Sequence, residues 1–442
     1  MDVFRKLGDR LETRWRARDY DERAFPTLAA AVLNEAALAG TVDALDLLRW
    51  VGRNSVLPAQ LDPNSSFGDM ALTLYSTPGF YVSALFWLNS STAIHQHSFS
   101  GAFQVLVGSS LHTQYQFTEQ RSVNSRFRLG RLAVQRVDLL PTGAIRTIVS
   151  GERHIHSLFH LEHPSVSLIV RTHNEPTAQP QWSYLPEGIS YDPFHENYVS
   201  RKKREALRVL HACGSEVAET EAREMLETAD LRLTWDLLND CADWFQPSAI
   251  EKRYDIAAVP AGFESLLEVA RRRQGAEAID RFVRSHREVR RLHDLLAIRQ
   301  SLTRPEYRFL LGVLLNVTSP AMVLDLLRQR YPDRDPIAEV LDRVQELAST
   351  KVLGAREPNV VGIADYDLEH RIVLERRLRG GTFDEAVRDL QQMFPDENPE
   401  DLRHLAIDIS QDLAGSALLR TLVNDPNPAN AQNPSAAVAT RA

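Results

Sequence analysis

Cysteine is nearly absent from this chain: Cys213 and Cys241 are the two among 442 residues. They form neither a CxxC pair nor a disulfide framework and suit a reducing compartment. A basic excess is missing too. Lysine and arginine total 51 against 59 acidic residues, a net charge of −8 with the signs interspersed. That balance argues against a general nucleic-acid or membrane-surface binder. No run of about 18 apolar residues occurs, so no transmembrane helix is expected. The opening residues, MDVFRKLGDRLETRWRARD, are charged throughout and lack the apolar stretch of a signal peptide, which makes the cytoplasm the expected address. No P-loop, Rossmann glycine signature or Gly-x-Ser-x-Gly elbow appears, and Glu119, Asp138 and Glu152 show no paired-carboxylate spacing. What the chain does have is 43% hydrophobic and 25% charged residues, enough for a sizeable core, and a length that suggests two or three domains.

Periodicity divides it into four stretches. Residues 1–62 read as an N-terminal helical segment, with Phe4, Leu7 and Leu11 at helical spacing; Asp62-Pro63-Asn64-Ser65-Ser66 punctuates its end. Residues 63–190 carry short β-branched and aromatic runs: Ala71–Tyr75, Tyr81–Leu88, Ala102–Val107, Thr113–Phe117, Leu132–Leu139, Ala144–Val149, His154–Leu161 and Ser165–Thr172. Turn signals separate them, the pattern of an antiparallel sandwich or barrel. Residues 191–423 return to helical periodicity near 200–213, 217–245, 262–299, 303–316, 319–330, 336–349, 364–378, 383–393 and 399–422. There Thr382 and Glu385 have capping-box spacing, and Asn398-Pro399-Glu400 reads as a helix start. Residues 424–442 form a polar tail expected to be disordered. The fold class is therefore α+β: a β-barrel between a helical lead and a large all-α C-terminal domain.

Histidine carries the functional signal. Eight of the 14 lie between 95 and 173, under a fifth of the chain: His95, His97, His112, His154, His156, His160, His163 and His173. His95-Gln96-His97 and His154-Ile155-His156 are two His-x-His pairs. On a strand, residues two apart share a face, so each pair can aim both imidazoles at one point. Neutral imidazoles on neighbouring inward strands suit iron, zinc, nickel or copper. A lone pair would be more simply explained as hydrogen-bonded histidines; two pairs in one barrel favour a metal.

The segment Ser91-Thr92-Ala93-Ile94-His95-Gln96-His97-Ser98-Phe99-Ser100-Gly101-Ala102-Phe103 resembles the first metal motif of cupins, and most nearly that of the cysteine dioxygenase-like thiol dioxygenases. The stretch from His154 to Pro164-Ser165-Val166-Ser167-Leu168 resembles the same family's third-ligand strand. The likeness covers about residues 67–175. It implies a double-stranded β-helix barrel in which His95, His97 and His154 bind Fe(II). Gly101 and Ala102 stand where ordinary cupins place a glutamate ligand, which fits a three-histidine site. Ala102 also excludes a thioether crosslink. The histidine and tyrosine that the family sets behind its metal ligands would fall at Ile169 and Arg171, and its carboxylate-clamping arginine near Asp69. An inward Asp69 would favour a cationic amine or guanidine.

The other candidates each have a plain structural reading beside the functional one. His156, sharing a face with His154, could relay protons or simply be a hydrogen-bonded barrel histidine. Gln104 could orient a metal-bound water or satisfy backbone groups. Arg146 and Arg171 could grip a carboxylate or phosphate, or be solvated strand residues. His160, His163 and His173 read as surface residues. The sequence thus leads to a mononuclear non-haem Fe(II) oxygenase, thiol-dioxygenase-like, acting on a small molecule with dioxygen. His156 and Arg171 are its catalytic candidates, and Asp69, Gln104 and Arg146 its substrate contacts. Zinc, nickel or manganese are alternative metals. A non-catalytic cupin sensor or scaffold and a zinc-dependent cupin enzyme remain as rivals. Neither nucleic acid nor a membrane is an expected partner, while the helical domain could support a homo-oligomer or a protein partner.

Overall fold

The computed structural model describes residues 2–61, 67–88, 91–173, 180–214, 217–242, 244, 261–299, 302–351 and 359–423. The turn expected at 62–66 and the tail at 424–442 lie outside the described residues. The chain divides into two units, one of residues 1–136 and 140–293, the other of residues 137–139 and 294–442.

The first unit opens with three helices, α1 (Asp2–Arg16), α2 (Phe25–Ala36) and α3 (Ala44–Arg53). Phe4, Leu7, Leu11 and Trp15 form one buried stripe on α1, as their three- and four-residue spacing requires. Pro26 stands in the first turn of α2, Ala37 ends that helix in the left-handed region, and Asp43 caps α3 by accepting from the Leu45 and Asp46 amides.

Eleven strands follow among the described residues: β1 (Met70–Ser76), β2 (Phe80–Trp87), β3 (Ile94–His95), β4 (Gly101–Val107), β5 (Ser110–Asn124), β6 (Phe127–Leu140), β7 (Ile145–Ile148), β8 (Ile155–His160), β9 (Ser165–Thr172), β10 (Ser183–Leu185) and β11 (Ile189–Tyr191). They make a five-stranded sheet in the order β1-β2-β9-β4-β7 and a closed barrel in the order β10-β11-β6-β5-β8-β3. Every expected strand is present within a few residues at its ends, except that 113–117 and 132–139 are parts of the longer β5 and β6. The three additional strands, β3, β10 and β11, are two or three residues long, too short for alternation to register.

The five-stranded sheet is buried on both faces. Val82, Ala84 and Phe86, with Ala102, Leu106, Leu168 and Val170, pack against α1–α3. The alternate residues Leu85, Trp87, Phe103, Val105 and Ile169 form a second cluster with Phe99 and Leu158. Gly101 is required where β4 meets β9, because a Cβ there would lie 2.1 Å from the Val170 carbonyl oxygen.

Among the described residues, five helices complete the unit's packing: α4 (Tyr198–Ala212), α5 (Val217–Thr228), α6 (Leu231–Ala242), α7 (Ala261–Gln274) and α8 (Ala276–Ile298). Leu207, Leu226, Trp235, Leu266 and Phe282 on these helices share one core with Phe127, Leu129 and Ile189 of the strands. The single helix expected over 262–299 is two, broken at Gly275, whose φ is +91°.

The second unit is helical: α9 (Pro305–Asn316), α10 (Pro320–Arg330), α11 (Pro336–Ala348), α12 (Leu368–Leu378), α13 (Phe383–Met393), α14 (Pro399–Gly415) and α15 (Arg420–Val423). Leu310, Leu311, Val313 and Leu314 are buried, and both halves of the Thr382–Glu385 capping box are formed. Among the described residues, no helix is long and apolar enough to cross a membrane.

Candidate metal centre

Strand β3 delivers His95, which pairs directly with His156 of β8. The chain leaves the strand after His95, and two contacts hold the next residues. The Gln96 amide donates to the Trp182 carbonyl at 3.0 Å, and the His97 carbonyl accepts from the Gly151 amide at 2.9 Å. Gln96 points away from its neighbours. It is fully buried, accepts from the Tyr184 hydroxyl at 2.6 Å and donates to the Pro180 carbonyl at 2.9 Å. The residue between the two histidines is thus an anchor that the sequence reading passed over.

Five histidines converge. Their ring centroids lie 4.6 Å apart for His95–His97, 4.8 Å for His95–His156, 4.5 Å for His154–His156 and 5.1 Å for His112–His156. Among the described residues, two sets of three place ligand nitrogens within 4.8 Å of one another: His95, His97 and His156, and His112, His154 and His156. His95 and His97 therefore come together with His156, while His154 joins His112 and stands 6.1 Å from His97 by ring centroid. The reason is local. Residues 152–154 form a 3-10 turn, so His154 ends a turn where His156 lies on a strand, and the two reach the cluster from different backbone geometries. His112, on β5, had no His-x-His partner to single it out.

The nitrogens suit a metal. The His95 Nδ1 donates to the Ala93 carbonyl at 2.8 Å, which leaves Nε2 with its lone pair; that Nε2 is buried and unpartnered. His97 Nδ1, His112 Nδ1 and His154 Nε2 are buried and unpartnered as well. Each such group costs about 1–3 kcal/mol when nothing satisfies it; an ion held by the Nε2 atoms would take up those of His95 and His154 and leave His97 Nδ1 and His112 Nδ1 as they are. The His97 and His156 Nε2 atoms lie 2.9 Å apart. That is hydrogen-bond distance for one shared N–H, and the same two nitrogens would hold an ion together with His95. Burial pushes the proton affinities of all five down, helped by repulsion from neighbouring histidines in all but His95, where the bond to Ala93 opposes it: His154 to about 4, His112 to about 3, His95 below its ordinary value, and His97 and His156 well below theirs. Neutral rings are the ligating form.

A cavity of about 30 Å3 borders the first set, lined by Trp87, His95, His97, Phe103, His156 and Ile169 among others. That volume takes roughly one water-sized group. Arg171 stands on this side of β9, its guanidinium 3.4 Å from the Phe99 ring centre, and Phe99 in turn packs on His97 at 4.3 Å. Its charge contributes to the depression of His97. Arg146, paired in register with the inward Phe103, does the same to His112. Gln104 lies on the opposite face of β4 from Phe103 and donates to the Gly143 carbonyl at 3.3 Å. Asp69 is exposed, and its carboxylate accepts from the Leu88 amide at 2.7 Å. His160, expected at the surface, is fully buried; it bonds Ser110 Oγ at 2.9 Å and stacks on Trp87 at 4.3 Å. Its place on a strand buried on both sides overrides its polarity.

No family model and no curated protein matches the chain. Among solved structures it is similar to the crystal structure of DMSP lyase DddQ from Ruegeria pomeroyi DSS-3, at 15% identity over 35% of this chain and 75% of that one. The TM-score is 0.21, too low for the likeness to carry function across. The histidine geometry stands by itself: a buried three-histidine group able to bind a metal ion, in a chain of mixed helix and sheet.

Proposed function

We propose that the chain is a metal-dependent cupin enzyme with a histidine-only Fe(II) centre, an oxygenase acting on a small molecule. The observation that carries the reading is the set His95, His97 and His156 beside a cavity, with the His95 lone pair already aimed by its bond to Ala93. With no carboxylate in that set, the site favours a metal that accepts imidazole, and bound iron would supply Lewis acidity and electron transfer to dioxygen. The chain's residues do the rest. Trp87, Phe103 and Ile169 exclude water, Gln96 keeps the two histidines in register, and Arg171 orients an anionic group of the substrate at the rim. Arg146 has its charge on the same side, whereas Gln104 and Asp69 do not face the cavity in this reading.

One observation favours a second reading, a non-catalytic metal-binding sensor: about 30 Å3 admits little beside an ion. Metal content after anaerobic purification, followed by oxygen uptake against a panel of thiols and amines, separates the two for wild type and His97→Ala. Near-stoichiometric iron with substrate-dependent uptake, both lost in the variant, supports the oxygenase. Iron without uptake moves the reading to the sensor, and zinc in its place to a zinc-dependent enzyme. No metal after reconstitution with Fe(II) would sink the metal centre itself.

A further inference from the structure

His156 belongs to both three-histidine sets, and its two ring nitrogens face one set each. Its Nε2 lies 2.9 Å from His97 Nε2, and its Nδ1 lies 2.9 Å from His112 Nε2. We propose that His156 bridges two metal seats: the cavity-side seat with His95 and His97, and a second, enclosed seat with His112 and His154. The proposal rests on the reading of the first seat as a metal centre and adds an ion to it.

A chain of N–H···N bonds through His97, His156 and His112 accounts for the two short contacts. It leaves His154 Nε2 buried and unpartnered beside them, with the His154 ring centre 4.5 Å from that of His156 and 5.9 Å from that of His112. A second ion takes that nitrogen up. Neutral imidazole carries one N–H, so a ring that gives both nitrogens to ions releases that proton to solvent and bridges as imidazolate. The charge so gained matters, because neither set contains a carboxylate and Arg136 and Arg146 both bear on His112. His112 feels two arginines where His97 feels one, Arg171, so the second seat is the weaker one. Its all-nitrogen ligands select Zn(II), Co(II), Ni(II) or Cu(II) over magnesium or calcium. Neither His112 nor His154 lines that cavity, so the second ion lies off the side where substrate would enter. Its effect is to fix the His156 ring and tune the first ion.

The test is equilibrium dialysis of the full-length apoprotein against Co(II) under argon, with bound ions counted by mass spectrometry and proton release followed in weak buffer. Wild type is expected to take two ions in two phases, the second releasing one proton. His112→Leu and His154→Ala, on different elements so that misfolding of one does not end the test, are each expected to take one. One ion in wild type that survives both substitutions and disappears in His95→Ala overturns the bridge and leaves the first seat standing. Two ions that persist in His112→Leu and His154→Ala place the second elsewhere and overturn it as well. No ion in wild type overturns both readings.

Discussion

The two faces of the five-stranded sheet are built from the same strands and ask different things of them. On the helix side, Val82, Ala84, Leu168 and Val170 are wholly apolar and almost wholly buried, and their contribution is volume and area. On the barrel side, Ser83, Ser167 and Arg171 alternate with them, and the sheet looks toward five buried histidines, four of which have an unpartnered nitrogen. One face is satisfied as it stands; the other looks onto histidine nitrogens that are satisfied only when something arrives to use them. Stability and function are therefore separable by side-chain parity, one residue apart along a strand.

The sharpest break of that symmetry is a pair of substitutions. Leu168→Ala removes buried volume under the helices and should cost about 2–5 kcal/mol in urea unfolding, with ion binding intact in the folded fraction. His97→Ala should do the reverse: metal affinity falls by more than about 100-fold, well beyond the loss typical of an outer-shell partner, while apoprotein stability changes little. If both variants lost metal and stability together, the faces would not be independent.

A second test uses pH. In the folded apoprotein His154 holds its proton only near pH 4 and His112 near pH 3, in each case chiefly because burial disfavours the charged ring. The unfolded chain takes up those protons first, near 6.5, so it binds more protons and stability rises with pH across the window. The stabilisation is complete above about 6.5 and is lost as pH falls toward those folded values, by about 1.4 kcal/mol per pH unit for each ring protonated only when unfolded. Urea midpoints should hold level from pH 7.5 to about 6.5 and then drop toward pH 5, less steeply in His154→Ala. Equal slopes would show that His154 is not held neutral by the fold.

How much of this was legible in the sequence follows the same division. Alternation exposed the long strands, and i, i+2 spacing exposed His95, His97 and His156. The rule presumes extended backbone, which the 3-10 turn at 152–154 does not provide; the family resemblance sets His154 with His95 and His97, and the nitrogen sets bring it together with His112 and His156. Parity could not be assigned to Gln104 without knowing which face of β4 holds Phe103. His112 and Gln96 were hidden because their roles come from β5–β8 pairing and from Tyr184, contacts between residues far apart in the chain. Local caps needed no such knowledge. Thr382→Ala in the helical unit should cost roughly 1 kcal/mol from the lost capping box, measurable by thermal unfolding, with metal binding untouched.

The smallest expected effect tests where the charged boundary of the site lies. Asp69 stands at the start of β1 and could be imagined as a carboxylate facing the cavity. Its oxygen instead accepts from the Leu88 amide, and its own amide donates to the Phe86 carbonyl at 2.9 Å, so the residue fastens β1 to the end of β2. Asp69→Ala removes the hydrogen bond from the exposed Leu88 amide, which can turn to water, a loss of about 1 kcal/mol or less. Metal affinity should stay within about twofold, because a solvent-screened charge reaches the cluster weakly. A tenfold fall in metal affinity on this substitution would mean that the carboxylate's field does reach the histidines, and the anionic boundary would have to be redrawn to include β1.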